Sequence, residues 1–327
     1  MRVPKFEYHE PRTIEEACGL LAQHDGQARL LAGGTDLLVL MKMRVLTPAH
    51  LINLKCIPDL ATLSFSPQEG LTVGPLATLR SLADSSLLKE QYPALAQAAG
   101  AVASPNIRST ATLGGNLCLD AKCWYYNQAP LFQEGRTPCF KRGGDQCYVV
   151  KGGKFCYALV ASDTVSALLA LDARATVVSR NGTRTLPVAD FFTGRGETVN
   201  VLSPQEIVTA IQIPPLPAGT RSVFLKQAFR RSIDFGITNT AVVLTKGANG
   251  TCQQARIALT AVSNAPVQAV KAAEMLAGKT IDEPLATAVG KAAAGEVRPV
   301  SAIWTSVYHR RAVIGTLVKK AVLLANA

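Results

Sequence analysis

The chain has 327 residues, 48% hydrophobic and 17% charged, which is a globular balance and a length that suits two domains. Mean hydropathy is slightly positive, yet no apolar run reaches the roughly 18 residues a membrane helix needs; the longest, around 165–171 and 313–324, are short or broken by Lys319 and Lys320. A net charge of +11 raises the question of nucleic acid, but the basic residues are scattered as doublets such as Lys141-Arg142 and Arg230-Arg231, a spread that suits docking onto acidic protein partners.

No membrane and no nucleic-acid partner are therefore expected. Met1-Arg2-Val3-Pro4-Lys5 leads into Glu-rich sequence without an apolar signal region, so a cytoplasmic location is expected too.

In chain order, residues 13–24 predict an amphipathic helix. Thr13 and Glu16 form a capping box, and Ile14, Ala17, Leu20 and Leu21 fall on one face. A strand at 29–32 runs into Gly33-Gly34-Thr35-Asp36, followed by an apolar segment at 37–41 and a strand at 50–54, together a small α/β unit. A strand at 70–75, a Thr78-capped helix to 84, an Ala-rich helix at 92–101 and a Ser/Thr-rich strand ending in Thr112-Leu113-Gly114-Gly115-Asn116 come next.

From about 121 to 157 aliphatic residues become scarce, and Gly, Cys, aromatic and charged residues crowd together. A helix follows Ser162-Asp163, and Asn181-Gly182 marks a hairpin between strands at 175–180 and 183–188. A strand at 206–213 ends in Pro214-Pro215-Leu216-Pro217, the expected domain boundary. Strands at 222–230, 238–245 and 254–262 and helices at 267–277, 283–293 and 307–325 complete an α+β chain.

Two stretches could carry chemistry. Leu30-Leu31-Ala32-Gly33-Gly34-Thr35-Asp36 sends a strand into paired glycines, where free backbone N–H groups can meet a diphosphate; a plain tight turn is the alternative. Thr112, Gly114, Gly115 and Asn116 repeat the arrangement, and two such loops make a clamp on a dinucleotide more plausible than one.

Five of the eight cysteines, Cys118 to Cys156, fall within 39 residues, which in a chain without disulfide context points to metal. Zinc and iron–sulfur both remain open from spacing, although the short knuckles of structural zinc are missing. The four histidines, His9, His24, His50 and His309, lie far apart in sequence and suggest no metal site, and no carboxylate pair for acid–base work emerges. An electron conduit fits better than a bond-breaking site.

The two glycine loops resemble the flavin-diphosphate loops of the FAD-binding subunit in the xanthine dehydrogenase / carbon monoxide dehydrogenase family. The resemblance runs from Pro4 to about Leu324. It implies a two-subdomain FAD-binding domain over 1–216 and a C-terminal domain of antiparallel sheet plus helices over 217–327.

It also implies flavin contacts from Ala103, Asp163 after Ser162, Val208 and Lys226, in addition to the loops. Implied partners are a large molybdopterin subunit, where substrate reacts, and a small subunit with two [2Fe–2S] clusters, in a dimer of heterotrimers. The cysteine-rich insertion, about 119–158, is similar to that of one branch, the beta subunits of 4-hydroxybenzoyl-CoA reductases. That likeness implies a [4Fe–4S] cluster on Cys123, Cys139, Cys147 and Cys156, with ferredoxin as donor and reductive dehydroxylation to benzoyl-CoA as the reaction. The rivals are an electron-transfer subunit of another hydroxylase of the family and a basic, zinc-stabilised binding module without flavin. Cys118 is left as a small buried apolar residue.

Overall fold

The computed structural model of the chain describes residues 2–301 and 305–327. The N-terminal unit is a three-stranded parallel sheet in the order β1-β3-β2, built from β1 (Glu7–His9), α1 (Ile14–Gln23), β2 (Ala28–Leu31), α2 (Leu37–Lys42) and β3 (His50–Asn53). Parallel neighbours need crossovers, and here α1 and α2 supply them. A variant of the capping box is formed: Thr13 Oγ1 accepts the Glu16 N–H at 3.1 Å, and the Glu16 carboxylate reaches past the Thr13 N–H to accept that of Arg12 at 2.7 Å. Ala17, Cys18 and Leu21 then bury the inner face of α1 in a small core with Ile52 and Leu54.

Next come β4 (Leu63–Ser66), β5 (Gly70–Val73), α3 (Leu79–Asp84), α4 (Ser86–Gln91), α5 (Pro93–Gly100), α6 (Pro105–Arg108), α7 (Leu113–Leu117), α8 (Pro130–Glu134) and α9 (Asp163–Ala170). With β6 (Arg174–Ser179), β7 (Gly182–Pro187) and β8 (Ile207–Ile213) they complete an antiparallel five-stranded sheet, β4-β5-β8-β6-β7.

The strand expected before Asn116 is absent. Ser104 accepts the Ile107 N–H and Thr112 accepts the Gly115 N–H, so both hydroxyls cap one-turn helices; only a single bridge, Thr78 to Thr112, keeps β character. The hairpin is present but shifted by one residue. Ser179 pairs with Gly182, so Arg180 and Asn181 make the turn and Gly182, at φ +122°, opens β7. Every residue of α9 is buried, the pattern of a helix wrapped on all sides by core.

The last unit is an antiparallel sheet, β12-β11-β10-β9, of β9 (Thr220–Gln227), β10 (Thr238–Lys246), β11 (Cys252–Thr260) and β12 (Val267–Gln268), followed by α10 (Val270–Glu274), α11 (Glu283–Glu296) and α12 (Val307–Asn326). The helix expected from residue 267 thus begins with a two-residue edge strand against β11. Strand β10 feeds two cores through its period of two: Ala241 and Val243 join the core of the preceding unit, and Val242 and Leu244 pack with α11 and α12. That alternation fastens the C-terminal sheet to α5 and α9. No described helix is long and apolar enough to cross a membrane.

Candidate functional site

The two glycine loops meet. The first leaves the carboxyl end of β2 and enters α2; the second is the start of α7. A Cβ on Gly33 would stand 2.2 Å from the Thr110 carbonyl oxygen, and one on Gly114 would stand 2.5 Å from Pro75 Cβ. Both positions therefore need glycine for close backbone approach, and Gly34, at φ +70°, needs it for conformation. Gly114 N–H donates to the Pro75 carbonyl at 2.8 Å, while Thr112 Oγ1 takes the Gly115 N–H at 3.1 Å. Leu31 is buried behind the first loop and Leu30 partly so.

Asn116 ties the second loop to α9. Its Oδ1 accepts from Ser162 Oγ at 2.6 Å and from Thr164 Oγ1 at 2.7 Å. At the first position of α9, Asp163 is almost fully buried. Its Oδ2 receives Lys226 Nζ at 2.7 Å and its Oδ1 receives Asn239 Nδ2 at 2.8 Å. Burial pushes the Asp163 carboxyl up to about 6, against the opposing pull of Lys226 and Asn239. Lys226 Nζ also donates to the Ala101 carbonyl at 3.1 Å.

Ala103, two residues on, sits in the left-handed region at φ +43°, and its carbonyl accepts from Ile233 N–H at 3.0 Å and Ser232 Oγ at 3.1 Å. So hydrogen bonds tie Asn116 to the residues flanking Asp163 and join Asp163 to Lys226 of the C-terminal sheet. Ala103, two residues beyond the Ala101 carbonyl that Lys226 also reaches, is held separately by Ser232 and Ile233. Val208, buried on β8 in the adjoining core, takes no part in these contacts. Asn239 was not legible as a site residue. It is the second residue of β10, and only the fold turns its carboxamide onto Asp163.

Cys123, Cys139, Cys147 and Cys156 line one cavity, with Tyr126 and Tyr148 among its walls. Among the described residues no three cysteine sulfurs lie within 4.8 Å of one another.

The insertion is framed by side chains. The Arg136 guanidinium lies over the rings of Phe132, Tyr125 and Tyr148 at 4.2, 5.1 and 5.6 Å. Buried Lys141 reaches Asp120 at 2.7 Å and the Gly196 carbonyl at 2.5 Å. Cys156 N–H donates to Glu197 at 2.7 Å, and Ala158 N–H points at Cys156 Sγ from 3.4 Å. At the neck, Lys122 and Leu159 exchange backbone hydrogen bonds of 2.8 and 3.0 Å, and Lys122 Nζ meets Asp36 Oδ1 of the first glycine loop at 2.5 Å. Cys118 stays outside the cavity, packed against the main core, its thiol pushed up to about 12 by burial.

The histidines differ from expectation. Three of the four converge: one ring nitrogen each of His9, His24 and His50 lies within 4.8 Å of the others. Chain separation hid this, because the parallel pairing of β1 with β3 sets Glu7 opposite His50 and α1 ends at His24.

Residues 4–216 match the family described as the FAD binding domain in molybdopterin dehydrogenase, and residues 223–325 match the CO dehydrogenase flavoprotein C-terminal domain. The carbon monoxide dehydrogenase medium chain of Hydrogenophaga pseudoflava is 29% identical over 326 residues, covering 99% of this chain and 98% of its own. The FAD-binding subunit of an Escherichia coli K12 aldehyde oxidoreductase is 32% identical over 276 residues, 80% of this chain and 82% of that subunit. Among solved structures, CO dehydrogenase from Oligotropha carboxidovorans superposes with a TM-score of 0.82 at 27% identity, covering 100% of this chain and 99% of that one.

The fold is thus that of a two-domain α+β flavoprotein. The chain belongs to the FAD-binding subunits of the molybdopterin dehydrogenases: it is the FAD-binding, electron-transfer subunit of an oxidoreductase in the molybdenum hydroxylase family. A flavin-free zinc module is thereby set aside.

Proposed function

We propose that this subunit carries a [4Fe–4S] cluster beside its FAD and serves a reductase of the 4-hydroxybenzoyl-CoA type. The carrying observation is that Cys123, Cys139, Cys147 and Cys156, spread along the insertion, line one cavity. Cys123, Cys139, Cys147 and Cys156 would hold the cluster, which supplies a one-electron station. The Ala158 N–H aimed at Cys156 Sγ, and the low exposure of that residue, are the kind of features that tune a cluster's potential.

The FAD, which exchanges electrons singly or in pairs, would be held across the domain boundary we place at Pro214–Pro217. Gly33, Gly34, Thr35, Gly114 and Gly115 would offer backbone and hydroxyl donors to its diphosphate. Lys226 and Asp163 would set the charge near the ring, and Ala103 and Val208 would shape the ring's walls. Leu30, Leu31, Ala32, Asp36, Thr112 and Asn116 would hold the loops in form. Partners of this reading are a large molybdopterin subunit, a small subunit with two [2Fe–2S] clusters, a ferredoxin donor, and assembly as a dimer of heterotrimers. Exposed Phe229, Ile233 and Phe235, on the segment that leans on Ala103, give a partner apolar surface to cover.

A second reading keeps both cofactors and makes the complex an oxidising hydroxylase. The names of the relatives, carbon monoxide dehydrogenase and nicotine 6-hydroxylase among them, support it. Anaerobic purification with iron, zinc and flavin analysis tests the cofactors: about one FAD and four irons per chain, with iron lost and FAD kept in Cys139→Ser, is expected. Zinc in place of iron would sink the reductase reading. The large subunit that co-purifies, assayed in both directions, separates reductase from hydroxylase.

A further inference from the structure

We infer that His9, His24 and His50 form a second metal site, for a divalent transition-metal ion of the zinc type, at the end of the N-terminal sheet remote from the first glycine loop. His9 Nε2 lies 3.1 Å from His50 Nδ1, and Glu7 Oε2 lies 3.3 Å from the same nitrogen. Ligands on one tetrahedral zinc, each about 2.0–2.1 Å from the ion, stand roughly 3.3 Å apart, so the His9 and His50 nitrogens already have the spacing of two ligands on a single centre, and a His24 nitrogen lies within 4.8 Å of both.

Two imidazole nitrogens facing each other at that distance must share either a proton or a cation. His24 favours the cation. Its Nε2 is buried without any hydrogen-bond partner, an orphaned lone pair or N–H of the kind folded proteins seldom leave. One of its ring nitrogens lies within 4.8 Å of those of His9 and His50, so a modest turn of the ring, now stacked on His50, completes a three-nitrogen set. Three imidazoles are borderline donors that suit zinc, cobalt, nickel or copper and not calcium or magnesium.

The placement gives the ion a structural task. β1 is only three residues long and pairs with β3 alone, and the core beneath this sheet is small. A metal on His9, His24 and His50 would clip β1 and the end of α1 to β3, the central strand. That strand pairs with β2, which presents the first glycine loop at its far end. Nothing in this site overlaps the cysteine cavity, so the two metals are separable.

The test uses the purified full-length protein with its flavin and iron in place, dialysed against Co²⁺ and then against metal-free buffer. About one retained cobalt per chain is expected, with weak d–d absorption and no thiolate charge-transfer band. Retention should fall to less than about a tenth in His24→Gln and in His50→Gln while iron and flavin stay at wild-type levels. Should those variants misfold, zinc-edge X-ray absorption on the unaltered protein decides instead: imidazole scattering is expected. No retained metal, retention indifferent to both substitutions, or a shell of sulfur alone would each overturn the site.

Discussion

The C-terminal layer and the cysteine insertion hang on the same flavin scaffold but are ordered by opposite means. In the layer, Val242, Leu244, Leu259, Ile314, Val318 and Val322 are completely buried between β10, β11 and α12. In the insertion, among the described residues, no apolar side chain between Cys123 and Cys156 is fully buried, and the small cluster of Ala121, Cys156, Ala158, Val160 and Val199 sits only at its base. Backbone order costs about 1–2 kcal/mol per residue wherever it occurs. The layer meets that cost by burial. The insertion has ring stacking, one guanidinium over three rings, a buried Lys141, and four thiols facing one space. A segment this poor in core is what the proposal of a bound cluster sets out to explain.

The contrast can be broken most forcefully from the burial side. Leu259→Ala removes a fully buried side chain and should destabilise the whole chain by about 2–5 kcal/mol, read as a lower denaturant midpoint with the iron-to-flavin ratio unchanged. The iron loss expected for Cys139→Ser should leave that midpoint nearly untouched. If Leu259→Ala shed iron before unfolding, the two regions would share one cooperative unit and the comparison would fail. Gly33→Ala comes next. A methyl placed 2.2 Å from the Thr110 carbonyl forces the two loops apart, at a cost of about 1–3 kcal/mol. Gel filtration followed by flavin absorbance should find most of the FAD gone and the iron retained.

How much of this was readable depended on range. The capping box of Thr13 and Glu16, the glycine loops and the cysteine cluster are local, and they were legible because neighbours in sequence do the work. The Ser/Thr-rich run before Asn116 misled because the same hydroxyl residues that suit a strand also cap helices, and Pro105 at the first helical position decided for helix. The hairpin slipped by one residue since Gly182 tolerates its φ of +122° inside a strand as readily as in a turn. His9, His24, His50 and Asn239 were invisible for a different reason. Each finds its partners only through packing between elements far apart in the chain, and a single sequence carries no sign of that.

A subtler sharpening lies at Asp163, where the scaffold itself keeps a charge in its core. The carboxyl stands near 6 when folded against 3.8 ordinarily, so the folded protein binds the proton more tightly. Its contribution to stability is complete below about pH 3.8 and is lost as pH rises through about 6. Asp163→Asn should flatten the dependence of the denaturant midpoint on pH across that window; an unchanged slope would mean that Lys226 holds the carboxylate charged throughout.

The smallest expected effect tests the seam between the regions. Lys122 adjoins the ligand candidate Cys123, yet its ammonium meets Asp36 in the first glycine loop, so one partly exposed ion pair joins the insertion to that loop. Pairs of that exposure contribute about 1 kcal/mol or less, and Lys122→Met should leave the unfolding midpoint within that margin. The informative quantity is where the loss falls. If the pair only steadies the neck of the insertion, Lys122→Met and Asp36→Asn should each hasten iron loss to a chelator by a few-fold, and the double variant should be no faster than either, since both remove the same contact. If flavin release quickens instead, the ammonium is acting through Asp36 on the diphosphate loop, and the insertion is part of the flavin site rather than an appendage to it.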